Sequence, residues 1–290
     1  MAAGKEIRTK IKSVQNTQKI TRAMQMVSTS KMRKTQERMR QARPYAEKVR
    51  EVMAHLAQIN PSARSTSPFL RDPKEIKRVG IILITADKGL CGGLNTNAVK
   101  LFNEKLRDYT SRGIEVEVCT LGQKGLVAAK RLKTSIVSSA VGLGDIPKME
   151  KLIGPLTGVY QAFYEKKLDA VYVVYSQFVN TMKQQPIFEQ ILPLSDRDLE
   201  LESKMPWDYL YEPSAEEVLD QLVRRYVESV IYQCVADNMA AEQAARMIAM
   251  RAATDNAGEA IHKLSLAYNK SRQAAITKEL SEICSGAAAV

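Results

Sequence analysis

Cysteine is scarce in this chain of 290 residues, and the four present, Cys91, Cys119, Cys234 and Cys284, are far apart. No C-x-x-C and no cluster of histidines accompanies them. Zinc and a disulfide framework are therefore disfavoured, and reduced thiols are expected. Histidine is scarcer still. His55 and His262 both fall on expected long helices, unrelated to any carboxylate or nucleophile, and are expected as surface or seam residues. G-x-S-x-G, H-E-x-x-H and a cysteine–histidine pair are all missing. The expectation is a chain without a catalytic site of its own, without a metal and without a cofactor. Aromatics are few, and Trp207 is the one tryptophan. The longest apolar run, Val79 to Thr85, is too short to span a bilayer. The opening MAAGKEIRTK is charged at once, with no apolar signal region and no long Arg/Ser-rich leader. A bacterial cytosolic protein is the expectation.

Proline is absent from Ser214 onward, and the only glycines there are Gly258 and Gly286. Apolar residues recur at helical steps through Leu219, Leu222, Tyr226, Val230, Ala245, Ile248, Ala252, Ile261, Leu264, Tyr268, Ile276, Leu280 and Ile283. Ser214 with Glu217 reads as a capping start, and Gly286 as an end. At about 1.5 Å per residue, an unbroken helix here is on the order of 110 Å long. One helix cannot bury such a stripe alone, and the other end of the chain is the candidate partner.

That other end, Lys5 to about Gln58, also reads as helix. Its second half carries a seam at Met32, Thr35, Met39, Ala42, Ala46, Val49, Met53 and Leu56. In its first half the apolar residues run Ile7, Ile11, Val14, then jump to Ile20, Met24 and Val27, which predicts a phase slip. Pro44 is expected to kink or locally break the helix. Lys5 to Arg50 holds fourteen lysines and arginines against Glu6, Glu37 and Glu47, so this segment alone accounts for the net charge of +11. Such a helix is either a solvated face or a surface seeking an acidic protein, an anionic lipid or a nucleic acid. No aromatic precedes Tyr45 to stack on bases, and the charges lie all round the helix, which weakens the nucleic-acid reading.

The middle of the chain alternates strands and helices. Strands are expected at Val79–Thr85, Ile114–Leu121, Ser135–Val141 and Ala170–Phe178, with Pro186–Leu194 a candidate edge strand. Helices are expected near 97–112, 125–132 and 148–166. The fold class expected is α/β: long terminal helices forming an antiparallel coiled coil, with an inserted Rossmann-like domain of mostly parallel sheet. The divisions are 1–60 for the first helix, 61–77 for a loop, 78–195 for the α/β domain, 196–213 for a connector or foot, and 214–290 for the last helix. Ser195–Met205 is acidic and irregular, and Trp207–Pro213 a short anchored element. The glycine-rich loop Asp87–Asn95 lies where phosphates are cradled, but it lacks both G-x-G-x-x-G and G-K-[ST]. A tight turn using Gly92 and Gly93 is the plainer reading.

Three blocks, EIRTKIKSVQNTQKITRAMQMVSTSKMRK, ITADKGLCGGLN and EQAARMIAMRAATDNAGEAIHKLSLAYNKSRQAAITKELSEICSGAAA, closely resemble the γ subunits of bacterial F-type ATP synthases. The order of the blocks matches, and the resemblance covers essentially the whole chain. It implies a rotor shaft inside a ring of three α and three β subunits, with the ε subunit and the c-subunit ring as further partners. The resemblance implies no nucleic-acid partner and a membrane reached only through the c ring, at the cytoplasmic face of the bacterial inner membrane. By matching position it implies β-subunit contacts at Arg272, Gln273, Thr277, Glu279, Met24, Arg246 and Lys88, and c-ring contacts at Tyr209 and Glu212. The small apolar tip Gly286–Val290 is expected to act as a bearing. The alternative kept beside this is a basic coiled-coil protein that binds nucleic acid.

Overall fold

The computed structural model describes residues 2–59, 67–70, 75–146, 148–194, 210–212 and 214–288. The elements are α1 (Ala2–Ile59), β1 (Arg78–Ile84), α2 (Leu94–Ser111), β2 (Glu115–Leu121), α3 (Gln123–Arg131), β3 (Ser135–Ala140), α4 (Met149–Tyr164), β4 (Ala170–Phe178), β5 (Gln184–Leu192) and α5 (Ala215–Ala288). A short 3-10 turn, Pro68–Leu70, stands in the expected 61–77 loop. The expected segments at Ser195–Met205 and at 207–209 and 213 lie outside the described residues.

The chain divides into two units: residues 30–245 in one, and residues 1–29 with 246–290 in the other. In the first, five strands make a sheet in the order β3-β2-β1-β4-β5. β1 pairs in parallel with both β2 and β4, β2 with β3, and only β5 runs antiparallel at the edge. Strand alternation assigns the two faces. Val79, Ile81, Leu83, Val118 and Val174 point to one side, onto Phe102 of α2 and Ala129 of α3. Ile82, Ile84, Cys119, Leu121, Val171, Val173 and Tyr175 point to the other. There they meet α4, the Met53–Ala57 end of α1 and the Leu219–Met239 stretch of α5. The terminal helices thus form part of the α/β core, and the resulting layers are helix, sheet, helix.

In the second unit, α1 and α5 run antiparallel as a two-helix coiled coil. The Thr21 and Thr254 hydroxyls are 2.7 Å apart, and Gln18 Nε2 donates to the Thr254 carbonyl at 3.3 Å. A Cβ on Gly258 would lie 3.2 Å from Gln18 Nε2, so glycine lets the helices approach here.

Three expectations are corrected. Of the kink or local break expected at Pro44, the break does not occur, and α1 is continuous to Ile59; Pro44 is exposed, so water can serve the carbonyl that the missing N–H leaves. Gly286 does not end α5, which continues to Ala288. The phase slip is not there either. Ile20 and Val27 are 60% and 52% exposed, whereas Thr21 and Ser28 are buried. The inward positions Ile7, Ile11, Val14, Gln18, Thr21, Gln25, Ser28, Met32 and Thr35 keep a regular alternation of four and three. Hydroxyls and amides occupy the seam where apolar residues were sought.

Candidate functional site

The antiparallel register locates the end of the paired region. Counted outward from Thr21 opposite Thr254, Ala2 at the start of α1 falls opposite Gln273. Beyond that point α5 projects as a single helix. Arg272 and Gln273 sit at this transition, Thr277 one turn on and Glu279 nearly two, and all four are exposed. The apolar stripe of the projecting helix is bare: Ile276, Leu280 and Ile283 are 49%, 57% and 67% exposed. One ion pair, Lys278 to Glu282 at 3.6 Å, braces this stretch. Residues 289 and 290 of the expected bearing lie outside the described residues.

Met24 of α1 is half-buried. Arg246 of α5 is buried, unlike the other basic residue expected on that helix. Between the helices an open groove is lined by Gln18, Arg22, Gln25, Arg251, Asp255 and Glu259. This face is polar and of mixed charge. Glu212 is exposed just ahead of α5, and Tyr209 lies outside the described residues.

Lys88 stands elsewhere, exposed on the β1–α2 loop. The loop answers the question of phosphate. Asp87 directs its carboxylate into the turns at the carboxyl ends of β2 and β3. Oδ1 accepts the Gln123 N–H at 3.0 Å and the Gly142 N–H at 3.1 Å, and Oδ2 accepts the Leu143 N–H at 2.9 Å. The first of these amides opens α3. A built-in carboxylate therefore meets the donors that could receive an anion. Asn95 braces the other end of the loop, accepting the Ala86 N–H at 3.0 Å and donating to Cys91 Sγ at 3.2 Å. Cys91 and Leu94 pack onto Ala241 and Ala245 of α5. Gly92 adopts φ 58°, as expected of it, but Gly93 does not, and the other left-handed residue of the loop is Leu90 at 62°.

Side chains of α5 also fasten the sheet. β4 outlasts β1 by several residues, and Asn238 Oδ1 accepts the Ser176 N–H there at 3.1 Å. Asp237 takes the Phe178 N–H and has its carboxyl pKa pushed up by burial to about 6. On α1, Lys31 Nζ donates to both oxygens of Asp145 at 2.8 Å, and Arg38 donates to the Asp145 carbonyl at 3.3 Å. Part of the basic helix thus serves the chain's own α/β unit. His55 is buried and His262 exposed. Asp87, Asp237 and Asn238 went unnoticed in the sequence because their partners are backbone amides distant in the chain, and Asn95 because its partners, the Ala86 N–H and the Cys91 thiol, meet it only once the loop is folded. Only the position of Asp87 at the start of the loop that follows a strand hinted at it.

Among the described residues no cluster of metal-ligating side chains occurs, and no helix is long and apolar enough to cross a membrane. The family model described as ATP synthase matches residues 3–290. The chain is 66% identical over 290 residues to the ATP synthase gamma chain of Chromobacterium violaceum, covering all of both chains. It is 62% identical, again over the full length of both, to that of Laribacter hongkongensis. The central stalk of the Tetrahymena thermophila mitochondrial ATP synthase superimposes with a TM-score of 0.62 at 25% identity, covering 81% of this chain and 99% of that one. A chain of the Euglena gracilis mitochondrial enzyme shares the fold, with a TM-score of 0.71 at 18% identity over 99% of this chain and 94% of that one. These matches lend the nucleic-acid alternative no support. A continuous match from end to end, to relatives of the same length, leaves one assignment: the chain belongs to the ATP synthase gamma-chain family.

Proposed function

We infer that this chain is the rotating central shaft of an F-type ATP synthase, coupling ion flow through a membrane sector to nucleotide chemistry in a ring of α and β subunits. It has no catalytic site of its own. The observation that carries the reading is the projecting end of α5, whose exposed Ile276, Leu280 and Ile283 call for a sleeve supplied by other subunits. The working divisions are the helices 1–60 and 214–290, the loop 61–77, the α/β domain 78–195 and the connector 196–213. The α/β domain and connector face the ε subunit and c ring, with Tyr209 and Glu212 as the foot. The chain is held peripherally at the cytoplasmic face of the inner membrane through the c ring.

Rotation transmits work only if the shaft's contacts differ among the catalytic sites. An asymmetric helix pair inside a threefold ring meets each β subunit differently, so each orientation favours a different set of open and closed sites. The contacts must also break at every step. Exposed polar groups such as Arg272, Gln273, Thr277, Glu279 and Lys88 suit this, since exposed charge pairs contribute about 0–1 kcal/mol each. Met24 and Arg246 are assigned to the same set of β contacts.

Reconstitution tests the reading. Purified α and β subunits mixed with this chain should give a complex with one copy per three αβ pairs, and Mg-ATP hydrolysis should depend on it. Arg272→Ala with Gln273→Ala should lower turnover about tenfold, or about 1.4 kcal/mol, while leaving the melting temperature of the isolated chain unchanged. Failure of the wild-type chain to associate, together with salt-sensitive binding to DNA or RNA, would reject the shaft.

A further inference from the structure

We propose that Asp145 is a positioning residue of the shaft: it clasps α1 to the α/β layers through Lys31 and Arg38, and this clasp sets how stiffly α1 and α5 twist together. The proposal rests on the shaft reading of the preceding subsection.

Within residues 30–245 the two long helices are held in different ways. α5 is enclosed. Eight consecutive residues, Cys234 to Ala241, are buried, so every side of that helix is covered over about two turns. The polar members of the run are fastened too, Asn238 to the Ser176 N–H and Asp237 to the Phe178 N–H. α1 is sunk at its far end, at Met53, Leu56 and Ala57, and again at Met32 and Thr35. Between Thr35 and Met53 none of its described residues is buried, and Pro44 takes one helical hydrogen bond out of that stretch. Few apolar contacts there resist a twist of α1.

The clasp stands at the head of this stretch. Lys31 and Arg38 lie two turns apart on one face of α1. Lys31 Nζ donates to both carboxylate oxygens of Asp145 at 2.8 Å, and Arg38 Nη1 donates to its backbone carbonyl at 3.3 Å. One residue thus receives both cations, through its side chain and its main chain. The loop behind it is braced. The Gly142 and Leu143 N–H groups donate to Asp87, Lys151 Nζ donates to the Gly142 carbonyl at 2.6 Å, and the Leu143 side chain is sunk in the core. Left-handed Gly142 and Gly144, with φ 67° and 77°, let the chain turn on either side of that anchor.

The chemistry of the contact decides what it does. The Lys31 and Asp145 side chains are 38% and 61% exposed, so the pair adds little to the stability of the chain. When it opens, water takes the place of each partner, and no buried group is left unsatisfied. It therefore opens under load and closes again when the load falls. A rigid loop on one side and a loosely packed helix on the other make Asp145 the point that limits the twist of α1 against the enclosed α5.

The test compares wild type, Asp145→Ala and the exchanged pair Lys31→Asp with Asp145→Lys. In the isolated chain, amide hydrogen exchange over residues 36–52 should speed up about threefold in Asp145→Ala and return toward wild type in the exchanged pair, with β1 unchanged. The second measurement is made in the complex with α and β subunits, arrested by a non-hydrolysable ATP analogue. There the angular variance of a rod fixed to the α/β layers should rise about twofold in Asp145→Ala and fall back in the exchanged pair. The wild-type variance should approach that of Asp145→Ala as salt is raised to about 1 M, where the screening length is about 3 Å. Mg-ATP hydrolysis by the Asp145→Ala complex should stay within about twofold of wild type. Wild-type exchange and wild-type variance in Asp145→Ala would overturn the clasp and leave the shaft standing. Faster exchange with unchanged variance would show a contact that only steadies α1 and would overturn its role in twist. A wild-type chain that fails to assemble would overturn the shaft and the positioning role together.

Discussion

At the level of single residues, Asp237 gives the fold a pH dependence with a defined sign. Burial lifts its carboxyl pKa from 3.8 to about 6, and the Phe178 N–H opposes the rise. An acid whose pKa rises on folding favours the folded state most when protonated. Its contribution is whole below about pH 4 and is lost as the pH passes through 6. Two pKa units correspond to about 3 kcal/mol, and the remaining exposure of the site reduces this to about 1–2 kcal/mol. Asp237→Asn keeps an oxygen for the Phe178 amide and removes the titration. Urea denaturation should find it more stable than wild type by about 1–2 kcal/mol at pH 7.5 and equal at pH 4; a gain of the same size at both would assign the effect to something other than the proton. Asn238 beside it is not titratable, and neither residue was marked out in the sequence. Each looks like an ordinary polar residue of a long helix until the overhanging end of β4 supplies its partner.

At the level of elements, the strands were readable and the first seam was not. β4 was expected at the residues where it lies, because a run of Val, Tyr and Phe bounded by turns leaves few options. The seam of α1 was read by its apolar residues, which led through Ile20 and Val27, both now exposed. The heptad is carried instead by Gln18, Thr21 and Ser28, and polarity concealed them. The Thr21–Thr254 hydroxyl pair makes this testable. Thr21→Val or Thr254→Val alone breaks the hydroxyl pair, whereas replacing both removes the need for it. A double-mutant cycle on thermal melting should give a coupling of about 0.5–1.5 kcal/mol, with the double variant at least as stable as the worse single one. Additive effects would show that the hydroxyls act independently.

At the level of the whole molecule, the two units should differ in resistance to opening. Residues 30–245 hold the sheet and nearly all the buried apolar side chains, whereas the helix pair of 2–29 and 246–288 buries few, among them Met250 and Ala257. Hydrogen exchange of the isolated chain should find the amides of β1 and β4 protected to the global limit. Those of 246–288 should exchange at least about a hundredfold faster and slow when the ring subunits are added. Equal protection in both units would contradict this. The α/β core and the length of the helices were legible because periodicity and glycine punctuation are local. The end of the pairing near Gln273 was not, since it depends on a register between residues more than two hundred positions apart. One loop carboxylate matters at this scale too. Because Asp87 already answers the amides at the open end of the sheet, a shaft turning amid abundant ATP and ADP has no inlet through which their concentration could register there. At that end of the sheet the gearing stays constant whatever the fuel level.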